Sequence, residues 1–407
     1  MDYNTEQSIV INSKSQKMIV RASAGTGKTC CLIGAIAKYR NDNPKAVIDA
    51  ITFTRAAAAE LKTRLSEQGI YDINISTIHV WARGYLEELA DMYHFEMRVL
   101  QEYEIKQIMK SIIDAYPRKV EVSALYDFAL NNKRLNLQER QQATFLALER
   151  RYVQYKRDNG LYDFTDYPLY LYDKLSEYNE KIYSVDALFV DELQDIDEEQ
   201  SHIFEKVECM KKFYIGDSRQ MIYGFRGAST EIFESIKGFD EYTLRQNYRS
   251  KQEIIDYADT FYKTYFAPCE AGEKNLVSGL IWSQRADINC TRGNGGKVYV
   301  VDSFGFCNNV NNEECNTSLA MKDVFSQAPM ILCRTNRQVQ LIKDAGYYNV
   351  STIHQSKGLE YRAVIVVDTE VNSIDDLNVI YVGLTRARDT LMVVNSAQLI
   401  KYLNLLR

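Results

Sequence analysis

Proline is scarce, with five residues in 407. Because proline breaks helix interiors and stiffens linkers, so few of them favour long, helix-rich elements over proline-rich connectors. Histidine is also rare, at four residues, and the histidines show no zinc-like grouping. None of the eight cysteines forms a Cys-x-x-Cys pair, so no structural metal is expected. Cys30 and Cys31 are adjacent, at what reads as a buried helix start. Residues Met1 to Val10 are too polar for a secretory signal, and no apolar run approaches a membrane span. The plain expectation is reduced thiols in a cytoplasmic protein with no membrane partner. An excess of positive charge is missing too: 49 Lys and Arg stand against 55 Asp and Glu, a net charge of −6. That excludes an openly basic coat for nucleic acid but leaves room for a narrow cleft of different local charge. What remains is an ordinary globular balance, 46% hydrophobic and 26% charged, long enough for two or three domains. The 29 tyrosines read as general packing.

The first third alternates short apolar strands with helices: Met18–Val20, Thr29–Tyr39, Val47–Phe53 and Ala56–Leu65. This is the pattern of a parallel α/β sheet. From about Gly84 to Asn159 helical periodicity takes over, as in Glu102–Tyr116 and Gln138–Lys156. Strand patterning returns at Asp186–Val190 and Phe213–Ile215. A helical insertion within the first α/β domain is the simplest account. A second α/β series opens near Tyr242, with strand candidates Lys297–Val301, Met330–Cys333, Ser351–Ile353 and Ala363–Val367. Ala267–Gly296 reads as loops. The expected domains are a first core over residues 1–83 and 158–237, a helical insertion over 84–157, and a second core over 238–407. Two cores make a cleft available for a ligand.

Ala22-Ser23-Ala24-Gly25-Thr26-Gly27-Lys28-Thr29 follows an apolar strand and precedes a helix, the context a P-loop requires. Gly25 and Gly27 let the backbone of Ala24 to Gly27 curl so that its N–H groups face phosphate oxygens, and the helix adds its positive end. Lys28 would reach the β- and γ-phosphates of a nucleoside triphosphate, with the Thr29 hydroxyl on Mg²⁺. The apolar strand Leu188-Phe189-Val190 ends in Asp191-Glu192, a metal-binding carboxylate beside a general base for water. Alone, two acidic residues there are more often a helix cap; paired with the P-loop, the catalytic reading prevails.

From residue 4 to about residue 394 the chain resembles the UvrD/Rep/PcrA family of superfamily 1 DNA helicases. The resemblance rests on Asn4–Gln7, Thr52–Leu61, Ser76–His79, Asp191–Asp195, Gly216–Ala228, Gln246–Ser250, Ile331–Asn336, Thr352–Glu360 and Tyr381–Arg388. It implies two RecA-like P-loop domains in tandem with ATP and Mg²⁺ at their cleft. Gln7 would read adenine, Tyr248 would stack on it, and Glu360 would hold the ribose. Gln220 would sense the γ-phosphate, which Arg249 and Arg386 would engage from the second core. Phe53, Thr54, Thr77, His79, Tyr223, Phe225, Arg226 and His354 would contact single-stranded DNA. The implied activity is an ATP-driven translocase or helicase moving 3′→5′ on single strands or single/double-strand junctions.

Several positions depart from the family pattern. Ala22 replaces the usual first glycine, Arg55 an asparagine, and Phe225 a tryptophan, which keeps a stacking face of smaller area. Only about 14 residues separate Arg337 from Thr352, where larger members carry a second insertion domain, and about 20 residues follow the last motif. These departures bear more on duplex unwinding than on ATP hydrolysis. Two alternatives stay open: a DNA-stimulated motor that needs a protein partner to load or unwind, and an ATP-gated DNA-binding subunit of a repair or defence complex.

Overall fold

A computed structural model describes residues 2–115, 139–222, 233, 236–265, 288–302, 307–309 and 314–405. The chain forms two compact units: Met1–Ile75 with Asp186–Glu198 and Cys209–Arg407, and Ser76–Val185 with Glu199–Glu208. The first unit is built on two sheets.

Strands β1 (Lys17–Ala22), β2 (Ile48–Thr52), β3 (Asn74–Thr77), β4 (Ala187–Val190), β5 (Lys211–Gly216) and β6 (Asp240–Leu244) form a six-stranded sheet in the order β3-β2-β4-β5-β1-β6. The pairs β2–β4, β4–β5, β5–β1 and β1–β6 are all parallel. Continuous apolar runs such as Ala187–Val190 are what a strand buried on both faces demands, and all four residues are buried. Helices α1 (Thr5–Ile11), α2 (Lys28–Asp42) and α3 (Arg55–Ser66) belong to the same half. Asn4 and Gln7 cap α1 reciprocally, and the Thr54 hydroxyl accepts the Ala57 N–H to start α3.

Two short strands, β7 (Gln246–Asn247) and β8 (Asn289–Cys290), pair with each other. The second sheet holds β9 (Lys297–Val301), β10 (Cys307–Asn309), β11 (Glu314–Cys315), β12 (Met330–Cys333), β13 (Val350–Thr352), β14 (Tyr361–Val367) and β15 (Ala387–Val394) in the order β11-β10-β9-β15-β14-β12-β13. Its five central and far strands are parallel, and the β10–β11 edge is antiparallel. Separate apolar clusters pack on its two faces, one around Val364, Val366 and Leu391, the other around Ile365, Val367 and Met392, the alternation expected of a sheet covered on both sides.

The two α/β cores agree with expectation, with two differences. Tyr242 lies in β6, which pairs with β1, so this strand edges the first sheet instead of opening the second. Cys307 and Cys315 form a disulfide, with Cα atoms 5.2 Å apart, which corrects the expectation of reduced thiols throughout. Antiparallel register sets the two cysteines opposite each other across β10 and β11, a relation no local spacing rule contains. Of Ala267–Gly296, residues 267–287 lie outside the described set, and part of the remainder forms β8.

The second unit is helical, with α4 (Ile78–Tyr93) and helices at Glu102–Asp114, Glu139–Asp158 and Tyr167–Glu177. It is wider than the expected 84–157 insertion because α4 and Tyr167–Glu177 belong to the same compact body. A buried ionic cluster anchors it: Lys156 Nζ donates to Asp163 Oδ2 at 2.8 Å and Asp166 Oδ2 at 2.6 Å, and the Tyr152 hydroxyl donates to Asp163 Oδ2 at 2.9 Å. Removing one partner of a buried pair strands the other charge. Lys156→Met is therefore expected to cost about 3–5 kcal/mol in urea unfolding. A change within about 0.5 kcal/mol, the range of ordinary surface substitutions, would contradict the assigned role.

Candidate nucleotide site

In a parallel sheet, ligands gather at the carboxyl ends of strands. The neighbouring strands β4, β5, β1 and β6 end in Asp191–Glu192, Asp217, the Ser23–Thr29 loop and Gln246–Arg249 respectively. The sheet order thus brings together residues nearly 230 positions apart in sequence.

Gly25 and Gly27 have φ of +70° and +79°. A Cβ on Gly25 would lie 2.7 Å from Asn247 Nδ2 and 2.8 Å from Arg249 Cβ. Only glycine gives the loop both its left-handed turn and this close approach. Asn247 Nδ2 donates to Ala24 O at 2.6 Å, and the Tyr248 N–H donates to Gly25 O at 2.8 Å. Buried Gln7 donates through Nε2 to Thr26 O at 3.2 Å, and Thr26 Oγ1 closes the loop on Ser23 O. The Tyr248 hydroxyl accepts from Asn4 Nδ2 at 2.5 Å, and its ring is 41% exposed, leaving a face available for stacking.

Lys28 and Thr29 open α2, whose first residues have no side-chain cap. Lys28 Nζ is buried and finds no hydrogen-bond partner among the described residues, although Glu192 Oε2 lies 3.3 Å away. An ammonium with unused donors, above a glycine loop and beside carboxylates, fits a phosphate group with its magnesium ion. Asp191 is buried, and its Oδ1 accepts the Glu192 N–H at 2.9 Å. Burial, and next the Glu192 charge, push Asp191 up to about 7. Burial also opposes the Glu192 carboxylate, but Lys28 and Lys357 outweigh it and hold the group at about 2. Glu192 sits at φ +51°, an uncommon conformation for a non-glycine residue, and one met often at functional sites.

A hydrogen-bond chain leads from Glu192 to the second sheet. Gln194 Nε2 donates to Glu192 Oε2, and Gln194 Oε1 accepts the Asp217 N–H at 3.0 Å. Asp217 Oδ2 accepts Gln220 Nε2 at 2.7 Å, and Gln220 Oε1 accepts Arg386 NH2 at 3.3 Å. Lys357 Nζ bonds Asp195 Oδ2 and Gln220 O. Arg249 Nε donates to Glu360 Oε2 at 3.1 Å, and Arg388 pairs with the same carboxylate.

Arg386 is 1% exposed. Its remaining donors meet Val382 O, Leu359 O and Thr385 Oγ1, and among the described residues no carboxylate lies within ion-pair distance. Burial, then the neighbouring Arg249 charge, push it down to about 9, still protonated at neutral pH. A buried cation satisfied only by neutral oxygens is poised for an incoming anion.

The nucleic-acid candidates are distributed differently. In the first unit, Phe53 follows β2, Thr54 spends its hydroxyl on capping α3, and His354 Nε2 lies 3.3 Å from Ile222 O. In the second unit, Thr77 precedes α4, and the His79 ring stacks on Phe164, with centroids 5.7 Å apart and planes at 12°. Tyr223, Phe225 and Arg226 lie outside the described residues. Phe164, 48% exposed, escaped the sequence reading, as did Gln194, Asp217, Asn247 and Lys357. The last four sit inside recognised motifs, where position alone could have flagged them. Among the described residues no helix is long and apolar enough to cross a membrane, and no His/Cys/Asp/Glu cluster of metal-binding geometry occurs.

Known proteins resemble this chain in sequence. A family profile described as the UvrD/REP helicase N-terminal domain matches residues 3–239, and a UvrD-like helicase C-terminal domain matches residues 347–394. A protein named "Probable DNA helicase" from Mycoplasma pneumoniae is 27% identical over 96% of this chain and 83% of its own length. A "Probable DNA helicase II homolog" from the same organism is 27% identical over 84% of this chain and 52% of its own. An "ATP-dependent DNA helicase Rep" from Buchnera aphidicola is 28% identical over 64% of this chain and 42% of its own. The chain thus spans most of the first relative and about half or less of the other two. With the first profile covering more than half of its length, the chain belongs to the UvrD/Rep helicase family.

Proposed function

We propose that the chain is an ATP-dependent motor on single-stranded DNA that moves 3′→5′. The observation that carries this reading is Arg386, a buried arginine with no carboxylate within ion-pair distance among the described residues, joined through Gln220, Asp217 and Gln194 to Glu192 beside Lys28. In this reading Ala24 to Thr29 hold the phosphates, Gln7 and Tyr248 the adenine, and Glu360 the ribose. Thr29 and Asp191 would hold Mg²⁺, which when bound neutralises phosphate charge. Glu192 accepts a proton from the attacking water. Arg249 and Arg386 then stabilise charge on the transferred phosphoryl group. Because Arg386 stands just before β15 in the second sheet while Arg249 follows β6 and β7, the geometry needed for hydrolysis depends on how closely the two sheets approach. The DNA contacts are assigned to Phe53, Thr54, Thr77, His79, Tyr223, Phe225, Arg226 and His354, and changes in that approach would move Phe53 and His354, which lie in the unit that holds both sheets.

ATP turnover measured side by side with single-stranded DNA, duplex DNA, RNA and no nucleic acid tests the reading. Stimulation of roughly tenfold or more by single-stranded DNA, at least 1.4 kcal/mol off the barrier, is expected. Equal turnover in all four would remove DNA from the mechanism. A second reading, a motor that unwinds only with a partner, is favoured by the short link from helix Asn336–Asp344 to β13, which leaves no room for a further domain. A forked duplex offered to the purified chain alone separates the two.

A further inference from the structure

Arg219 lies within the Gly216–Gln220 segment, where the motif gives a role only to Gln220. Its side chain is buried, and the guanidinium reaches three elements at once. NH2 donates to Ser23 Oγ at 2.7 Å, at the entrance of the P-loop. NH1 donates to Asp259 Oδ1 at 3.1 Å, in helix Gln252–Thr264. The group also covers the Tyr381 ring, with Cζ 4.8 Å from the centroid, on helix Ile374–Leu384. Asp217 Oδ1, 3.6 Å from Nε, adds a second carboxylate. Burial opposes this charge, but Tyr381, Asp217 and Asp259 more than offset it.

Both helices adjoin the two arginines assigned to the transferred phosphate. Gln252–Thr264 begins just after Arg249, and Ile374–Leu384 ends two residues before Arg386, whose Nε donates to Val382 O of that helix. One planar fork therefore ties the first turn of the phosphate loop to the supports of both arginines. We propose that Arg219 is a positioning residue, a strut that sets the spacing between the P-loop and Arg249 and Arg386, so that turnover depends on it through Ser23 and Asp259. The inference rests on the site being an ATPase centre. Lysine, a point charge without a planar fork, could serve Ser23 or Asp259 but not both with the ring.

Arg219→Ala, Arg219→Lys, Asp259→Asn and the double variant Arg219→Ala/Asp259→Asn, each in the full chain, test the strut by DNA-stimulated turnover and by hydrogen exchange of the peptide holding Ser23. Arg219→Ala is expected to lower kcat per folded molecule ten- to a hundredfold while KM for ATP moves less than threefold. Arg219→Lys recovers part of that loss. The double variant is no worse than Arg219→Ala, since both changes cut one connection. Asp259→Asn speeds exchange at the P-loop, an effect that a local packing role for either residue would not transmit. Wild-type kcat in Arg219→Ala, additive losses in the double variant, or unchanged P-loop exchange in Asp259→Asn each overturn the proposal. Should Arg219→Ala fail to fold, Arg219→Lys and Asp259→Asn decide it by the same two readouts. A wild-type chain without ATP turnover sinks the ATPase reading instead, while the exchange experiment still reports whether the strut exists.

Discussion

Glu192→Gln is expected to bind ATP as the wild type does and to lose DNA-stimulated turnover by roughly 10²–10⁴-fold, the range of a general base. The substitution is nearly isosteric, so the Gln194 contact and the backbone turn at Glu192 can persist. What disappears is the negative charge that Lys28 and Lys357 hold ionised. With Lys28 and Lys357 beside it, the Glu192 carboxylate is held below the usual carboxylate range and is the weaker base for it. Phosphate changes that balance, because Lys28 cannot serve Glu192 and a phosphate oxygen equally well. In the proposed reaction, Lys28 drawn toward the nucleotide would leave Glu192 with one strong cation fewer and so raise its basicity. Equilibrium binding of a fluorescent ATP analogue, together with single-turnover hydrolysis, separates the two effects. Wild-type turnover in the glutamine variant would take the base assignment away from Glu192.

The P-loop was legible because its chemistry is local: a strand, a glycine turn and a helix start are adjacent in sequence, and the backbone geometry follows from residue type. Asp191 and Glu192 were legible for a similar reason, standing at the end of an apolar strand. Motif order pointed to Arg249 and Arg386; in the structure Arg249 packs against Gly25, and Arg386 bonds Gln220. The placement of β6 was not legible, since an apolar run carries no mark of the sheet it joins. Nor was the Cys307–Cys315 pairing, which depends on the register of an edge hairpin. Arg219 stayed hidden because its partners Ser23, Asp259 and Tyr381 are scattered along the chain and meet only when the elements pack.

The same packing explains why Arg386→Ala is expected to be the more severe lesion. Arginines acting on a transferred phosphoryl group contribute roughly 10³–10⁵ in rate, and kcat should fall by at least the lower figure. Stability should suffer far less than the loss of an ion-paired arginine would imply, because among the described residues Arg386 has neutral oxygens as its partners and no carboxylate within ion-pair distance is stranded when it goes. Loss of donors to Leu359 O and Val382 O, and the cavity left behind, still lower the melting temperature by a few degrees. Arg386→Lys keeps a charge but cannot span Val382 O, Leu359 O and Gln220 Oε1 together, so its turnover should lie between alanine and wild type. ATP binding, which draws mainly on the P-loop, should change by less than about tenfold, or 1.4 kcal/mol. Steady-state kinetics with saturating single-stranded DNA, beside thermal unfolding of each variant, give both quantities. If the alanine variant keeps kcat within threefold of wild type, the buried guanidinium is a packing element and the phosphoryl group finds its positive charge elsewhere.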